Sequence, residues 1–480
     1  MMNMQEILAV ENDSTFLDFK CLKTGYLLWP LIRQEFIQFI TSDLLYKSAP
    51  LISLNRSIAY PKALSSLLKA ECHNLVTSRR AKGNVLLMAS GAGLFLKDGK
   101  WFNRLSDYFA FVSPSETLVL EDFFNWHWPH PRRNQKIIYH APIQVYLALK
   151  GRLSVNQSHA RQGRDIVSHF RVRAKEILDW ELSASATVSF ERRIARKIAE
   201  VPIKKQMYTN FLTQKNTKLV IKEEGCYGHS SILNRTARDL GIVVAEYQHG
   251  TIHAGHDAYN VAPKLLSSQD YSDTLPQHFL SYGEWWHQYL RLPVNKIAIG
   301  NPHRTSQLSK LTSVVNKSDV LILGDGIETG LYIDLAIFLA KNLDSFRIVF
   351  RPHPLERAKL QGLLVKKSLG KVIIDKNLDI YDSFCNAHVV VNEVSTGLFE
   401  AVGLVDRVMI WETPKSKFYY PEHPFASFVD ANDLLEKIKD GKTGLLDPKS
   451  LHSVWAEGWE ENYKNFLVQH SKNASLEFVK

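Results

Sequence analysis

The chain has 480 residues, of which 45% are apolar and 22% are charged, a composition ordinary for a folded globular protein. This length is too great for a single hydrophobic core, so we expect two domains. The four cysteines, Cys21, Cys72, Cys226 and Cys385, are far apart and form no Cys-x-x-Cys pair. Their spacing argues against a disulfide framework or a zinc site and is typical of a reducing cytoplasm.

The net charge of +10 favours binding to something anionic. Basic residues cluster at positions 79–82, 132–133, 192–197 and 204–205, although a solvated surface is the simplest interpretation of these runs. The sequence has no zinc finger, aromatic RNA-binding pattern or basic zipper, so we expect no nucleic-acid partner. A phosphorylated ligand or an anionic membrane surface fits the charge better. We therefore predict a cytoplasmic protein that can associate peripherally with the inner face of a membrane.

The N-terminus lacks the pattern of a signal peptide. Residues 25–40 are apolar but too short and too charged to cross a bilayer, and they predict an amphipathic helix.

The first half of the chain begins with about 70 mainly helical residues and then alternates between strands and helices. Apolar runs of strand length lie at 84–90, 116–122, 136–141, 217–225, 242–247, 278–282 and 296–300. The predicted helices between them include roughly 165–215 and the segment 230–241, which Gly241 closes.

A second alternation begins after residue 303. Its predicted strands lie at 318–324, 346–351, 371–375, 388–393 and 407–412. Strands that alternate with helices form parallel sheets covered on both faces. We therefore predict an α/β fold of two Rossmann-like doubly wound domains facing a cleft. The predicted boundaries are 1–302, with a helical N-terminal extension, then 303–448, and a helical tail at 449–480.

Polar clusters follow the predicted strands, where ligands bind in sheets of this kind. The clusters are Glu223-Glu224-Gly225, Gln248-His249-Gly250, Gly300-Asn301-Pro302, Gly324-Asp325-Gly326, Arg351-Pro352-His353-Pro354 and Asn392-Glu393-Val394-Ser395-Thr396. Two domains that face each other would place all six around one cleft.

The segment 389–404, VVVNEVSTGLFEAVGL, predicts a strand, a turn at Ser395 and Thr396, and a helix from near Gly397. Backbone amides at a helix start beside two hydroxyls suit a phosphate, and Glu400, one turn into the helix, suits ribose hydroxyls. An ordinary helix cap explains the same residues without a ligand.

The Arg351-Pro352-His353-Pro354 turn has two prolines that fix its backbone. Held in this way, His353 can donate a hydrogen bond to a phosphate, and Arg351 can pair with the phosphate or hold the loop. The glycine-rich stretch at Gly324 lacks the Gly-Lys-Ser/Thr of a P-loop and is a weak signal by itself.

Glu223 and Glu224 are adjacent carboxylates at a strand end. If one is buried in the cleft its pKa rises, and it can serve as a general base; otherwise one faces solvent and the other caps a helix. His249 is the competing base or a helper. His249, His253 and His256 also suggest a metal, but the two glycines among them and the absence of a zincin glutamate argue against it, so we expect none.

Together these clusters resemble the two-domain GT-B glycosyltransferases, most closely bacterial enzymes of surface, capsular or lipopolysaccharide synthesis. In the CMP-sugar-dependent group, such as the sialyl- and Kdo-transferases, an acidic-acidic-Gly motif carries the base, while His-Pro and Ser-Ser/Thr motifs hold the CMP phosphate. The resemblance assigns these roles to Glu223-Glu224-Gly225, His353-Pro354 and Ser395-Thr396. Gln248-His249-Gly250 and the Arg-Pro-His-Pro turn are also similar to CDP-glycerol glycerophosphotransferases. The resemblance extends over roughly residues 216–412.

The resemblance implies a metal-independent glycosyltransferase without a cofactor, which uses a nucleotide-sugar as substrate, with a CMP-sugar favoured, and a glycan or lipid-linked acceptor. It makes Glu224, Glu223 and His249 catalytic. The donor nucleotide would be bound by Arg351, His353, Ser395, Thr396, Glu400, Gly324 and Asn392. The alternatives are a CDP-glycerol-type phosphotransferase of teichoic-acid-like polymers, an inactive GT-B scaffold and a nucleotide-sugar 2-epimerase.

Overall fold

The structure is a computed structural model that describes residues 2–45, 60–77, 82–309, 317–354, 356–357, 360, 368–445 and 453–471. Its strands are β1 (Val85–Ser90), β2 (Leu94–Lys97), β3 (Lys100–Asn103), β4 (Thr117–Asp122), β5 (Ile137–Tyr139), β6 (Leu219–Lys222), β7 (Val243–Tyr247), β8 (His278–Ser281), β9 (Asn295–Ala298), β10 (Asp319–Leu323), β11 (Arg347–Arg351), β12 (Ile373–Ile374), β13 (Ala387–Asn392), β14 (Arg407–Trp411) and β15 (Ala426–Phe428).

The α-helices are α1 (Met4–Leu8), α2 (Trp29–Leu45), α3 (Tyr60–Thr77), α4 (Asp107–Val112), α5 (Ala141–Leu153), α6 (Gln157–Leu178), α7 (Ala184–Lys215), α8 (Ser231–Asp239), α9 (Pro263–Leu266), α10 (Gln269–Ser272), α11 (Pro302–Leu308), α12 (Thr329–Asn342), α13 (Ile380–Phe384), α14 (Thr396–Ala401), α15 (Pro414–Tyr419), α16 (Ala431–Asp440) and α17 (Trp459–His470).

Two parallel sheets form the frame of the molecule. The first has the order β5-β4-β1-β6-β7-β8-β9 and the second has the order β12-β11-β10-β13-β14-β15. In each sheet the chain builds outward from a central strand, β1 or β10, in one direction and then returns to build outward in the other. This is the doubly wound Rossmann arrangement, so the predicted fold class is confirmed. The antiparallel hairpin β2–β3 and the edge strand β15 were not predicted.

The central strands are buried on both faces because their sequences are continuous apolar runs rather than alternating ones. Val85 to Ala89 of β1 and Val389 to Val391 of β13 are all buried. The second sheet is covered on one face by α12 and α16, whose buried residues include Leu339 and Leu434.

The N-terminal segment is helical, as predicted, but α2 is more buried than an amphipathic surface helix would be. Its Arg33 guanidinium is 2% exposed and pairs with Glu11, 2.6 Å away. The same group donates to the backbone carbonyls of Asp257 and Asn260. The N-terminal helices therefore hold the segment that follows His249.

The helix α17 returns to the first domain. The ring of Tyr463 lies 4.7 Å from that of Phe109, and Phe466 lies 5.5 Å from His278. At the predicted boundary between the two domains, residues 303–308 belong to α11, and residues 310–316 lie outside the described residues. Among the described helices, none combines the length and the apolar character needed to cross a membrane.

Candidate functional site

Each sheet has a switch point, where the chain changes its direction of winding, between β1 and β6 in the first sheet and between β10 and β13 in the second. At the first switch point the Glu223 carboxylate accepts a hydrogen bond from the Ser90 N–H at 2.6 Å. At the second, the Asn392 side chain donates to the Leu323 carbonyl at 2.6 Å. The predicted polar clusters thus lie at the carboxyl edges where ligands bind in such sheets.

Glu223 and Glu224 differ in exposure. Glu223 is 7% exposed, whereas the Glu224 side chain is 39% exposed. Burial raises the pKa of both carboxyls, and the positive charge of Lys222 opposes the rise in each. At neutral pH a carboxyl with a raised pKa is the stronger proton acceptor, which is the property a general base needs.

The turn after β6 has its positive φ at Glu224 rather than at the adjacent Gly225. Glu224 itself has the left-handed conformation, with φ of +59°, which is uncommon for a residue with a side chain. Gly225 is required for close packing instead, because a Cβ there would lie 3.0 Å from the Cβ of Glu246. A strained backbone at Glu224 is consistent with a functional position.

His249 follows β7 and lies next to the carboxylates. Burial lowers the pKa of His249, and the negative charge of Glu224 opposes that change. Below it is Glu246, fully buried, which accepts hydrogen bonds from the Cys226 N–H at 2.6 Å and the Tyr259 hydroxyl at 2.7 Å. Burial raises the pKa of Glu246 to about 7. Sequence reasoning missed Glu246, although a carboxylate inside an apolar strand was a signal that could have identified it.

A pocket of about 330 Å³ opens in the first domain, between the ends of β1, β4 and β6 and the helices α5 and α7. We call it the first-domain pocket. It is lined by Glu223 and Glu224. A second space, the interdomain cleft, is lined by His249 and residues 299–303 of the first domain and by Glu400 of the second.

Side-chain oxygen or nitrogen atoms of Glu223, Glu224 and His249 all lie within 4.8 Å of one another. We call these three residues the junction group, because two of them line the first-domain pocket and the third lines the interdomain cleft. The structure thus brings together the three residues predicted to be catalytic. Which role each performs stays a prediction.

Four carboxylates and two lysines line the first-domain pocket, together with two histidines. Its ionisable lining consists of Asp122, Glu200, Glu223, Glu224, Lys204, Lys222, His140 and His229. Glu200 pairs with Lys204 at 2.7 Å, and His140 Nδ1 lies 2.9 Å from the Asp122 carboxylate. The Nε2 atom of His140 is buried and has no hydrogen-bond partner among the described residues. These carboxylates can accept several hydrogen bonds from a ligand rich in hydroxyl groups.

The junction group has the ligand types and spacing that could hold a metal ion. However, the Lys222 ammonium lies beside this group, since it donates to the Glu223 backbone carbonyl at 2.8 Å and lies 3.3 Å from His229 Nε2. A fixed positive charge at this position disfavours a divalent cation, so we retain the base assignment as our proposal.

Of the three histidines, His249 belongs to a described group with metal-ligand spacing, together with Glu223 and Glu224. His256 contacts the Tyr227 hydroxyl, with 3.0 Å between Nε2 and the oxygen. The rings of His253 and Tyr419 lie 4.6 Å apart. Burial lowers the pKa of His253 to about 3, so its ring is neutral at physiological pH and acts in packing against the second domain.

Three of the residues predicted to bind the nucleotide are engaged inside the second domain. The Arg351 guanidinium is 8% exposed and donates to Asp375 at 2.6 Å and to Ser383 at 2.8 Å. Asn392 is 1% exposed and accepts from the Val394 N–H, and Ser395 accepts from the Gly397 N–H as a helix cap. For Arg351 this supports the loop-holding alternative. Asn392 and Ser395 likewise shape the loops with their side chains.

Of the other predicted nucleotide contacts, His353, Thr396 and Glu400 are partly exposed, whereas Gly324 is buried. His353 is partly exposed and lies against Gly326, where a Cβ would lie 2.9 Å from its Nδ1. Gly324 is needed because a Cβ there would collide with the Glu356 carboxylate, which itself accepts from the His353 N–H at 2.6 Å. Thr396 and Glu400 are both half-buried. Nucleotide binding by these residues stays a prediction.

A buried lysine that sequence reasoning missed joins the glycine loop to α15. Lys415 lies 2.8 Å from Asp325, 2.7 Å from Glu328 and 2.6 Å from Glu393. At the other end of α15, the Tyr419 carbonyl accepts from the Ala254 N–H at 3.1 Å. The loop at the second switch point is therefore connected through α15 to the segment after His249.

Arg104 is a further cleft residue that the sequence did not indicate. It follows the unpredicted hairpin β2–β3, is exposed and lines the cleft, and belongs to none of the sequence motifs. The negative charges of Glu400 and Asp379 are close enough to raise its pKa. Arg104 therefore provides a cation of the first domain that faces the second.

Comparisons with known proteins gave structural similarity only. No protein-family model matches the chain, and no curated protein matches it. A UDP-GlcNAc 2-epimerase from Neisseria meningitidis is 14% identical over 81% of this chain and 100% of its own, with a TM-score of 0.44. The epimerase from Methanocaldococcus jannaschii is 11% identical over 80% of this chain and 99% of its own, also at 0.44. The wall teichoic acid polymerase TagF is 11% identical over 91% of both chains, with a TM-score of 0.38.

Proposed function

We propose that this protein is a metal-independent glycosyltransferase that moves a sugar from a nucleotide-activated donor, with a CMP-sugar favoured, to a hydroxyl group of a bacterial surface glycan or its lipid-linked precursor. The observation that supports this best is the position of the junction group. It lies where the first-domain pocket, lined by several carboxylates, comes next to a cleft that the other domain also lines. Two substrates can therefore meet there.

In the proposed reaction, Glu224 removes the proton from the acceptor hydroxyl. The acceptor oxygen then forms a bond to the anomeric carbon of the donor, and the bond from that carbon to the phosphate breaks. The nucleotide leaves with the electron pair, and His353 and the α14 backbone amides stabilise its charge. We assign the base to Glu224 rather than Glu223 because Glu224 is the more exposed of the two and Glu223 already accepts from Ser90.

The charge of the first-domain pocket favours a glycosyl acceptor over the polyanionic acceptor of a teichoic-acid-like polymer. Four carboxylates line it against two lysines, Lys204 and Lys222. A second phosphate-rich chain would be repelled there, whereas sugar hydroxyls can donate to the carboxylates. The CDP-glycerol-type phosphotransferase is therefore only our second candidate. It is supported by the similarity of the His249 and His353 turns to those of CDP-glycerol glycerophosphotransferases.

Thermal shifts with CMP, CDP, UDP and GDP test the donor class. We expect CMP to raise the melting temperature most. Turnover is then measured with the nucleotide-sugar that matches the selected nucleotide and with a neutral sugar acceptor. Release of free nucleotide with a new glycosidic bond supports the transferase. Epimerisation of the donor without an acceptor would support the epimerase instead of the transferase. Nucleotide binding without any turnover would support the inactive scaffold.

Metal independence is tested separately. We expect undiminished turnover in excess EDTA, because Lys222, which donates to the Glu223 backbone carbonyl, supplies a positive charge beside the junction group. Loss of turnover that Mn²⁺ or Mg²⁺ restores would assign a metal to Glu223, Glu224 and His249.

A further inference from the structure

An apolar cavity lies outside the proposed active site. It is a groove of about 810 Å³ between α3, α5 and α7. Its lining includes Leu67, Leu68, Ile143, Tyr146, Leu149 and Phe211. We call it the helical groove.

Exposed apolar side chains are concentrated around the helical groove. Of the 23 large apolar side chains that are exposed among the described residues, five lie on α3 and three on α5. Leu64, Leu68 and Leu75 are spaced four and seven residues apart, so they share one face of α3. Leu149 is 59% exposed and Leu153 is 86% exposed. Leu68, Tyr146 and Leu149 line the groove itself, and a concentration of exposed apolar side chains of this kind marks an interaction surface.

The charged residues that line the helical groove are Lys150 and Glu71, and further cations on α3 and α5 form a basic rim beside it. α3 and α5 carry Lys62, Lys69, Lys150 and Arg152, all exposed, against the single acid Glu71. Lys150 donates to the Tyr146 hydroxyl at 3.1 Å. The residues of α7 that line the groove, including Gln206, Asn210 and Phe211, are uncharged.

Several residues of the basic clusters that stand out in the sequence are engaged in ion pairs, and residues 79–81 lie outside the described residues. Arg132 is buried against Asp107 and Glu121. Lys197 pairs with Glu35, and Lys204 pairs with Glu200. The lysines of α3 and α5 lie instead beside exposed leucines, a combination typical of protein surfaces that insert apolar side chains between anionic lipids.

We propose that the helical groove and its basic rim form the surface by which this protein docks on an anionic lipid bilayer. The apolar side chains would enter the interface, while Lys62, Lys69, Lys150 and Arg152 would contact the lipid phosphates. Helix α5 also separates this surface from the first-domain pocket, since Leu147 and Ala148 line the pocket while Tyr146 and Leu149 line the groove. If the proposed function holds, docking would bring a lipid-linked acceptor close to the junction group.

Vesicle flotation tests the proposal. The probes are vesicles of phosphatidylglycerol and phosphatidylcholine in a one-to-three ratio and vesicles of phosphatidylcholine alone. We expect the full chain to float with the anionic vesicles and to be released by high salt. The Leu68→Glu/Leu149→Glu double variant should bind at least about tenfold more weakly, because two apolar contacts are replaced by two negative charges.

The matched control is the Leu22→Glu/Leu378→Glu double variant, which alters two leucines that are 76% and 82% exposed elsewhere on the surface. It adds the same charge and should keep most of the vesicle binding. Equal loss in both double variants would reduce the effect to net charge and overturn the surface assignment. Absence of flotation of the unaltered chain would also overturn the assignment. In that case, self-association measured by ultracentrifugation and abolished by the groove substitutions would identify a second copy of the chain as the occupant.

Donor turnover with a neutral water-soluble acceptor, measured without vesicles, separates this proposal from the proposed function. The groove variant should retain that turnover, because neither Leu68 nor Leu149 lines the first-domain pocket or the cleft. Vesicle binding without any turnover would leave the docking surface intact and contradict the transferase alone.

Discussion

The two domains have the same strand winding, but their switch points treat polar side chains differently. In the second domain the polar side chains are paired within the domain. Arg351 donates to Asp375, Asn392 donates to the Leu323 carbonyl, and Lys415 forms ion pairs with three carboxylates. In the first domain, burial raises the pKa of Glu223 and Glu224, and they border an open pocket. A motif at a strand end can therefore either shape a loop or present a reactive group, and only the contacts around it distinguish these cases.

The largest expected effect comes from removing the reactive group of the first domain. Glu224→Gln should lower turnover by about 10²–10⁴-fold while leaving nucleotide affinity almost unchanged, because a general base contributes on that scale to the chemical step alone. Steady-state kinetics and nucleotide titration measure the two quantities. Near-normal turnover in both Glu224→Gln and Glu223→Gln would leave His249 as the base.

The second domain should respond through stability. Arg351→Ala leaves the Asp375 carboxylate buried without its cation, and we expect a loss of about 3–5 kcal/mol in the free energy of unfolding. Urea denaturation measures it. The control Arg133→Ala breaks an exposed pair with Asp98 and should cost no more than about 1 kcal/mol. A stable Arg351→Ala protein that cannot bind nucleotide would return Arg351 to the binding site.

Buried carboxylates of the first domain should make stability depend on pH. Burial raises the pKa of Glu246 to about 7 in the folded protein from an ordinary value of 4.5, so the folded state holds an extra proton between these values. The contribution of Glu246 to the unfolding free energy therefore falls as pH rises from 4.5 to about 7. Glu246→Gln should become more stable relative to the parent over this range, by up to about 3 kcal/mol. A difference that does not vary with pH would show that Glu246 is ionised throughout.

His353→Ala should have the smallest effect of the four. It removes one proposed hydrogen bond to a charged phosphate and should weaken donor binding by about 1.5–3 kcal/mol, measured by calorimetric titration. His388→Ala, which affects a histidine of the same domain paired with Asp406, is the control and should leave donor affinity unchanged. Equal losses in the two variants would attribute the effect to domain stability.

Much of the fold was predictable because it depends on local patterns. Apolar runs such as 84–90 and 388–393 specify buried parallel strands, and the polar residues after them could be placed at the carboxyl edges. Roles within those edges were harder to predict, since the sequence does not show that Arg351 meets Asp375 or that Lys415 meets Glu393.

The features that were missed depend on contacts between distant segments. Arg104 reaches the cleft from a short hairpin, α17 returns to the first domain, and Glu246 lies under His249. The first-domain pocket also requires α5 and α7 to pack over the strand ends. Such contacts arise from tertiary packing that no periodicity within a single element encodes.

A crystal structure of the protein with the nucleotide selected by thermal shift tests the central claim most directly. We expect the nucleotide at the carboxyl edge of the second sheet, in contact with His353 and Thr396, with Glu400 near the ribose and the phosphate directed toward Glu224 across the cleft. A nucleotide bound wholly within the first domain, away from His353 and Glu400, would contradict both the donor site and the role proposed for the junction group.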